Sequence, residues 1–505
     1  MLATVIAGAT LGLSGYLIEV EVDVADGGFP TCTIVGLPNK SIDEAKDRVR
    51  TAITNAGFVM PDSRITINLA PADIPKSGSA FDLPITIGIL TASNSITQES
   101  LAGKMFIGEL SLEGQVRKVS GIIPLILVAK EEKLKEVYIP VENAKEASIF
   151  EDVKIIPVVS LRQLVDHLRG IKKIEEYIPG PKDKKITRYS LYDFSQIKGQ
   201  EQAKRALEIA AAGFHNIHLK GPPGAGKTLL SRTMPTILPL MDKDEILEVA
   251  KVYSILGELT EEIFAGVRPF RSPHHTTSRI GLIGGGSHPT PGEISLSHRG
   301  VLFLDEFPEF PRSVLESMRQ PLEDGVVTVS RAAGTLTFPA RFLLLAASNP
   351  CPCGFLSHPK KSCICSPGAI ARYKKRLSGP LLDRIDVHID VPPVEVDKLS
   401  EEYESEKSDV VRGRVEKARA RQGLRFSALK ISFNSEMRAT DVKKFCKMTD
   451  GAQILLKQAV DRLALSARSY FKTIKVAQTI SDLELSDNID EAHIAEALQY
   501  RVTEL

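Results

Sequence analysis

The chain has 505 residues, 43% hydrophobic and 25% charged, an ordinary globular composition large enough for about three domains. Lys and Arg number 64 against 63 Asp and Glu, so the net charge of +1 neither proposes nor excludes a nucleic-acid partner, and any basic surface has to be local. No apolar run reaches the roughly eighteen residues of a membrane span, and six cysteines in so long a chain make no disulfide framework, which points to the reducing cytoplasm.

The opening MLATVIAGATLGLSGYLIEVEVDV is apolar, but its first basic residue is Lys40, so the charged start of an export signal is missing. From Tyr16 it alternates as LIEVEVDV, and a β-hairpin is expected. Residues 1–170, with FPTCTIVGLP, the helical SIDEAKDRVRTAITNAG and ITINLAPADIP, read as a compact mixed α/β domain. A charged, Pro-containing linker without sustained period follows, placed at 171–190. Over 191–395 a helix (GQEQAKRALEIAAAG), a strand (NIHLKG), a glycine loop opening a second helix, and the apolar strands VLFLDE and FLLLAASN predict a buried parallel sheet flanked by helices. Residues 396–505 turn helical, ending in NIDEAHIAEALQYR with Asp490 near an N-cap.

Three stretches carry the chemistry. GPPGAGKT (Gly221, Pro222, Pro223, Gly224, Ala225, Gly226, Lys227, Thr228) satisfies G-x-x-x-x-G-K-[ST] between a strand and a helix. Its backbone N–H groups would wrap phosphates, Lys227 would meet the β/γ-phosphates of ATP, and the Thr228 hydroxyl would reach Mg²⁺. VLFLDEF delivers Asp305 and Glu306 from a buried strand, the first to hold the Mg²⁺ shell and the second to polarise the attacking water. RFLLLAASNP ends at Asn349, whose amide could orient that water. Farther on, Arg384 in SGPLLDRIDVHIDVP has two readings: a salt bridge to Asp383 or Asp386, or an arginine finger completing a neighbouring subunit's site.

Four of the six cysteines crowd into NPCPCGFLSHPKKSCICSP as two C-x-C pairs. Cys351, Cys353, Cys363 and Cys365 could close a tetrahedral Zn²⁺ site that orders a loop too short to own a core, with His358 able to replace one ligand. Four reduced thiols in a cytosolic loop are the alternative.

Through YDFSQIKGQEQAKRALEIAAAGFHNIHLKGPPGAGKT, RPFRSPHHTTSRIGLIGGGSHPTPGEISLSHRGVLFLDEFPEF, FPARFLLLAASNPCPCG and LSGPLLDRID, the chain resembles the magnesium-chelatase-like branch of the AAA+ ATPases, and within it the ComM/YifB family, over nearly its whole length. The resemblance implies an α/β AAA+ P-loop core with an α-helical lid at 396–505 and an N-terminal α+β domain similar to the Lon protease. It makes Gly221 to Thr228 the Walker A loop, Asp305 and Glu306 the Walker B pair, Asn349 sensor 1, Arg384 the trans arginine finger and Arg468 sensor 2, with Ile197 to Gln200 near the adenine. An insert is implied at roughly Pro269 to His298, where the text is loop-rich; adjacent His274 and His275 lack metal-binding spacing and read as structural or loop residues. The hairpin VVTVSRAAGTLTF would grip DNA in a ring's pore, with Arg331 and Arg341 as candidate phosphate contacts. In the Lon-like domain Ser79 stands where the nucleophile would be, but Ile123 replaces the lysine that would activate it, so no peptidase activity is expected.

The function so implied is an ATP-dependent hexameric DNA motor, a helicase acting on single-stranded and branched DNA in branch migration during transformation or homologous recombination. The chelatase subunit that drives Mg²⁺ into a porphyrin shares the ATPase core but lacks the Lon-like domain. An ATP-dependent protease is opposed by the missing lysine.

Overall fold

The computed structural model describes residues 1–505 apart from 28, 38, 77, 180–190, 287–288, 332–333, 357, 394–404, 430 and 502–505, and apart from the side chains of 40, 41, 331 and 334. Most of the expected linker and the start of the expected C-terminal domain therefore lie outside the described residues, as does the side chain of Arg331. The chain forms two compact units, one of Met1–Ile186 with Leu247–Phe264 and one of Thr187–Ile246 with Ala265–Leu505.

The first unit is built on strands β1 (Leu2–Leu11), β2 (Ser14–Val24), β3 (Thr31–Val35), β4 (Arg64–Ala70), β5 (Lys104–Phe106), the short antiparallel pair β6 (Glu109–Leu110) and β7 (Val116–Arg117), β8 (Glu136–Pro140) and β9 (Lys154–Val158). Seven of them form one mixed sheet in the order β3-β4-β2-β1-β5-β8-β9. The alternating LIEVEVDV pairs with β1 as the expected antiparallel hairpin, from Leu2↔Asp23 to Leu11↔Ser14. Its period of two sends Ile18, Val20 and Val22 into the core. Helix Asp82–Ala92 (DLPITIGILTA) is buried at every position, so it has no polar face and no amphipathic period to betray it.

The unit's core is not contiguous in sequence. Within Leu247–Phe264, Ala250 is buried in the apolar cluster of Ile122, Ile123, Leu125 and Ile126. The Ser254 carbonyl accepts from the Gly121 amide at 2.7 Å, and its Oγ accepts from the Ile123 amide at 3.2 Å. Nothing in the periodicity of KDEILEVAKVYSIL announced this excursion.

The second unit holds β10 (Ile217–Lys220), β11 (Phe270–Arg271), the pair β12 (Gly284–Gly285) and β13 (Thr290–Pro291), β14 (Val301–Leu304), the hairpin β15 (Val326–Arg331) and β16 (Gly334–Pro339), β17 (Leu343–Ser348) and β18 (Val387–Asp390). Five form a parallel sheet in the order β11-β14-β17-β10-β18. VLFL and LLLAAS are buried at every residue, as continuous apolar strands in a covered parallel sheet must be. The C-terminal region is helical, with Ser408–Phe426, Asp450–Leu463, Ala467–Leu483 and Glu491–Gln499, the last capped by Asp490, whose carboxylate accepts from the amides of Ala492 and His493. The stretch expected as a loop-rich insert contains core strand β11 and two short helices, Arg279–Ile283 and Glu293–Leu296. Ser278 Oγ caps the first by accepting from the Gly281 amide at 3.1 Å, local chemistry strong enough to wind one turn inside Gly-rich text.

Within this sheet, His218 on β10 and His388 on β18 are register partners with perpendicular rings 5.6 Å apart. Burial, with the neighbouring His388 and Lys220, holds His218 down to about 3, and burial with Lys472 holds His388 down to about 4. Both imidazoles stay neutral in the fold while an unfolded chain would protonate them near pH 6.5, so their contribution is full above that pH and is lost as pH falls towards 4. Each should cost about 1.4 kcal/mol per pH unit in that window. Urea melts at pH 7 and pH 5 are expected to differ accordingly, and His218→Gln should flatten the dependence; an unchanged slope would mean the ring is not protonated on unfolding.

Candidate nucleotide site and cysteine cluster

The parallel order brings the C-terminal ends of β14, β17 and β10 side by side, so the loops that follow them meet. Pro223 to Leu229, Asp305, Glu306, Ser348 and Asn349 line one cavity of about 240 Å³. Gly224 and Gly226 sit at φ +79 and +85, and a Cβ on either would project into open space, the bare backbone cradle a phosphate chain needs. Helix Lys227–Ile237 begins at the cavity, adding the positive end of its dipole.

Lys227 is 8% exposed. Its Nζ donates to the carbonyls of Gly221 (2.7 Å) and Pro222 (2.9 Å) and to Asn349 Oδ1 (3.2 Å). Burial lowers its pKa, opposed by Asp305. Thr228 Oγ1 donates to Asp305 Oδ2 at 3.0 Å, so a hydroxyl and a carboxylate, the hard oxygen donors Mg²⁺ selects, lie together. The donor set thus fits a magnesium-bound triphosphate. Gln200 Nε2 donates to the Ala225 carbonyl at 3.3 Å, which puts the end of the Ile197 to Gln200 stretch against the phosphate loop.

Glu306 holds φ +50, a left-handed conformation that costs a non-glycine residue energy and turns its carboxylate out of the strand direction. Its Oε2 lies 3.1 Å from Nδ1 of His275. The sequence reading gave His275 a structural role and missed this contact, since no spacing links residues 275 and 306.

Arg384 and Arg468 do not line the cavity. Arg384 pairs with neither Asp383 nor Asp386: its guanidinium meets the Glu323 carboxylate and donates to the Pro380 carbonyl at 2.6 Å. Asp386 is taken by His215 at 3.1 Å. Arg468 donates to the other Glu323 oxygen at 3.3 Å. Arg341, at the exit of the β15–β16 hairpin, has its guanidinium 3.8 Å from Glu436.

The Sγ atoms of Cys351, Cys353, Cys363 and Cys365 all lie within 4.8 Å of one another. Amides of Phe355 and Ile364 hold the Cys353 thiol down to about 6, so a thiolate is available at neutral pH. His358 is not one of the set; its Nδ1 accepts from the amides of Lys360 and Lys361. Gly354, next to Cys353, runs close to Pro223 of the glycine loop: at φ +82, a Cβ there would come within 2.4 Å of Pro223 Cδ. Gly354→Ala is therefore expected to weaken ATP turnover about tenfold by displacing Pro223, with the cysteine cluster's metal content unchanged. Parallel turnover and metal assays would check it.

In the first unit Ser79 Oγ donates to the Glu109 carboxylate, and Ile123 is fully buried among apolar neighbours.

A glycine cradle after β10 of a five-stranded parallel sheet, an Asp-Glu pair on the next strand but one, and a polar amide on the middle strand between them define a P-loop nucleoside-triphosphatase of the AAA+ type. Residues 193–399 match the family described as "Magnesium chelatase, subunit ChlI", 20–143 match "Subunit ChlI of Mg-chelatase" and 405–501 match its C-terminal family. The competence protein ComM of Haemophilus influenzae is 43% identical over 99% of this chain and 97% of its own length. YifB of Escherichia coli is 40% identical over 98% and 96%, and Lon protease 2 of Bacillus subtilis is 30% identical over 31% and 30%. The chain belongs to the ComM/YifB family of magnesium-chelatase-like AAA+ ATPases.

Proposed function

We propose that the chain is an ATP-driven, hexameric DNA motor that promotes branch migration of recombination intermediates. The observation that carries the reading is the cavity in which Lys227, Thr228, Asp305, Glu306 and Asn349 converge, on the same unit as the β15–β16 hairpin. Full-length similarity to a relative named as a competence protein supports DNA as the partner. Bound ATP and Mg²⁺ would supply the phosphoryl group and its charge clamp. Lys227 and the loop amides would bind the phosphates, Thr228 and Asp305 would hold the metal, Glu306 would take the proton of the attacking water, and Asn349 would orient that water. Arg384 would serve the neighbouring subunit's site. Among the described residues no helix is long and apolar enough to cross a membrane.

Purified protein mixed with ATP and a labelled four-way DNA junction should release strands. An ATPase indifferent to DNA, with no strand displaced, would overturn the motor. The four thiolates would hold one structural Zn²⁺, stapling the loop between Asn349 and the element that bears Arg384. Metal analysis of protein purified without chelator is expected to give about one zinc per chain, and its absence would leave four reduced thiols.

A further inference from the structure

We propose that Glu323 is a positioning residue: it restrains Arg384 and Arg468 and releases them when the β15–β16 hairpin moves. The inference rests on the reading of the chain as a DNA-responsive ATPase and names how its site would be regulated.

One carboxylate holds two guanidiniums, Arg384 on Oε2 and Arg468 on Oε1. Among the described residues no other carboxylate pairs with either arginine. Two like charges stay this close because a negative charge lies between them, and neutralising it leaves them repelling. Arg384 is only 15% exposed, and its buried Nε has no partner among the described residues, so its position depends on the contacts its terminal nitrogens make.

Glu323 also sits where hairpin motion must pass. It belongs to helix Arg319–Asp324, and Gly325 alone separates that helix from β15. The turn is closed by the Gly325 amide donating to the Pro321 carbonyl (3.0 Å) and the Ala340 amide donating to the Gly325 carbonyl (2.8 Å). Val327, Val329 and Phe338 bury one face of the hairpin. A tilt of so well packed a ladder is transmitted to its root rather than absorbed along the arms. At the exit of the second arm Arg341 lies beside Glu436 of the helical region. Each end of the hairpin thus carries one charge to an element beyond it. A strand of DNA displacing the hairpin would pull Glu323 from the arginines, freeing them for a nucleotide's phosphates.

Full-length wild type and Glu323→Gln should be compared in steady-state ATP turnover, with and without a single-stranded oligonucleotide, alongside melting temperature and light scattering. Since Glu323 is about half exposed, the variant should melt and assemble like the wild type. Without DNA it is expected to turn over about fivefold faster, the scale of two ion pairs on one half-exposed carboxylate lost together, and DNA should add less than twofold. Glu323→Asp, which keeps the charge, should retain part of the wild-type response. An unchanged DNA-free rate, or one that falls, would overturn the restraint. If the wild type itself ignores DNA, the motor reading fails, and the DNA-free rates still decide whether Glu323 restrains the arginines.

Discussion

Glu306→Gln is expected to lower ATP hydrolysis by about 10²- to 10⁴-fold, the usual worth of a positioned general base, while leaving nucleotide binding nearly intact. The amide has the carboxylate's shape and can occupy the same φ +50 backbone and the same place beside His275, but it cannot accept the water's proton. Lys227→Ala should lose binding as well as hydrolysis, because a buried ammonium is then missing from the phosphate cradle and the carbonyls of Gly221 and Pro222 lose their shared donor. Phosphate release and binding of a fluorescent ATP analogue separate the two. Glu306→Gln turning over within tenfold of wild type would show that another group activates the water.

Arg384→Ala is expected to cost about 10³-fold or more in turnover, the scale of an arginine finger, without weakening ATP binding to its own subunit. The decisive measurement is complementation. Arg384→Ala subunits keep an intact cavity, and Lys227→Ala subunits keep an intact Arg384. Mixed in equal amounts, the two inactive proteins should recover a measurable fraction of wild-type turnover if the arginine acts across an interface. A mixture as inactive as its components would place Arg384 in service of its own subunit.

The lining of the candidate site was legible in the sequence because each part is local. A glycine loop must join a strand to a helix, an apolar run ending in Asp-Glu must be a buried strand, and both signals survive in fewer than ten residues. The parallel sheet and the helical C-terminal region followed from periodicity for the same reason. Contacts across long separations left no comparable trace. Glu323 lies in PLEDG, an unremarkable helix end, yet meets residues 61 and 145 positions away. His275 was set aside because its partner, Glu306, lies beyond β14, too far along the chain for any spacing to link them. Helix Asp82–Ala92, buried all round, gave no period to read. The cysteine loop stands between these cases: its two C-x-C pairs announced a cluster, while the close approach of Gly354 to Pro223 came only with the fold.

The excursion Leu247–Phe264 bears on how this molecule could be divided or inherited. A protein cut at the interval around residues 180–190 would not yield two self-sufficient pieces. The N-terminal fragment would lack Ala250 from its apolar cluster and Ser254 as acceptor for Gly121 and Ile123. The remainder would carry a stretch whose buried face had lost its receptor. The Lon-like unit is therefore no contiguous cassette: part of its core is written into residues 247–264, within the sequence span of the ATPase core.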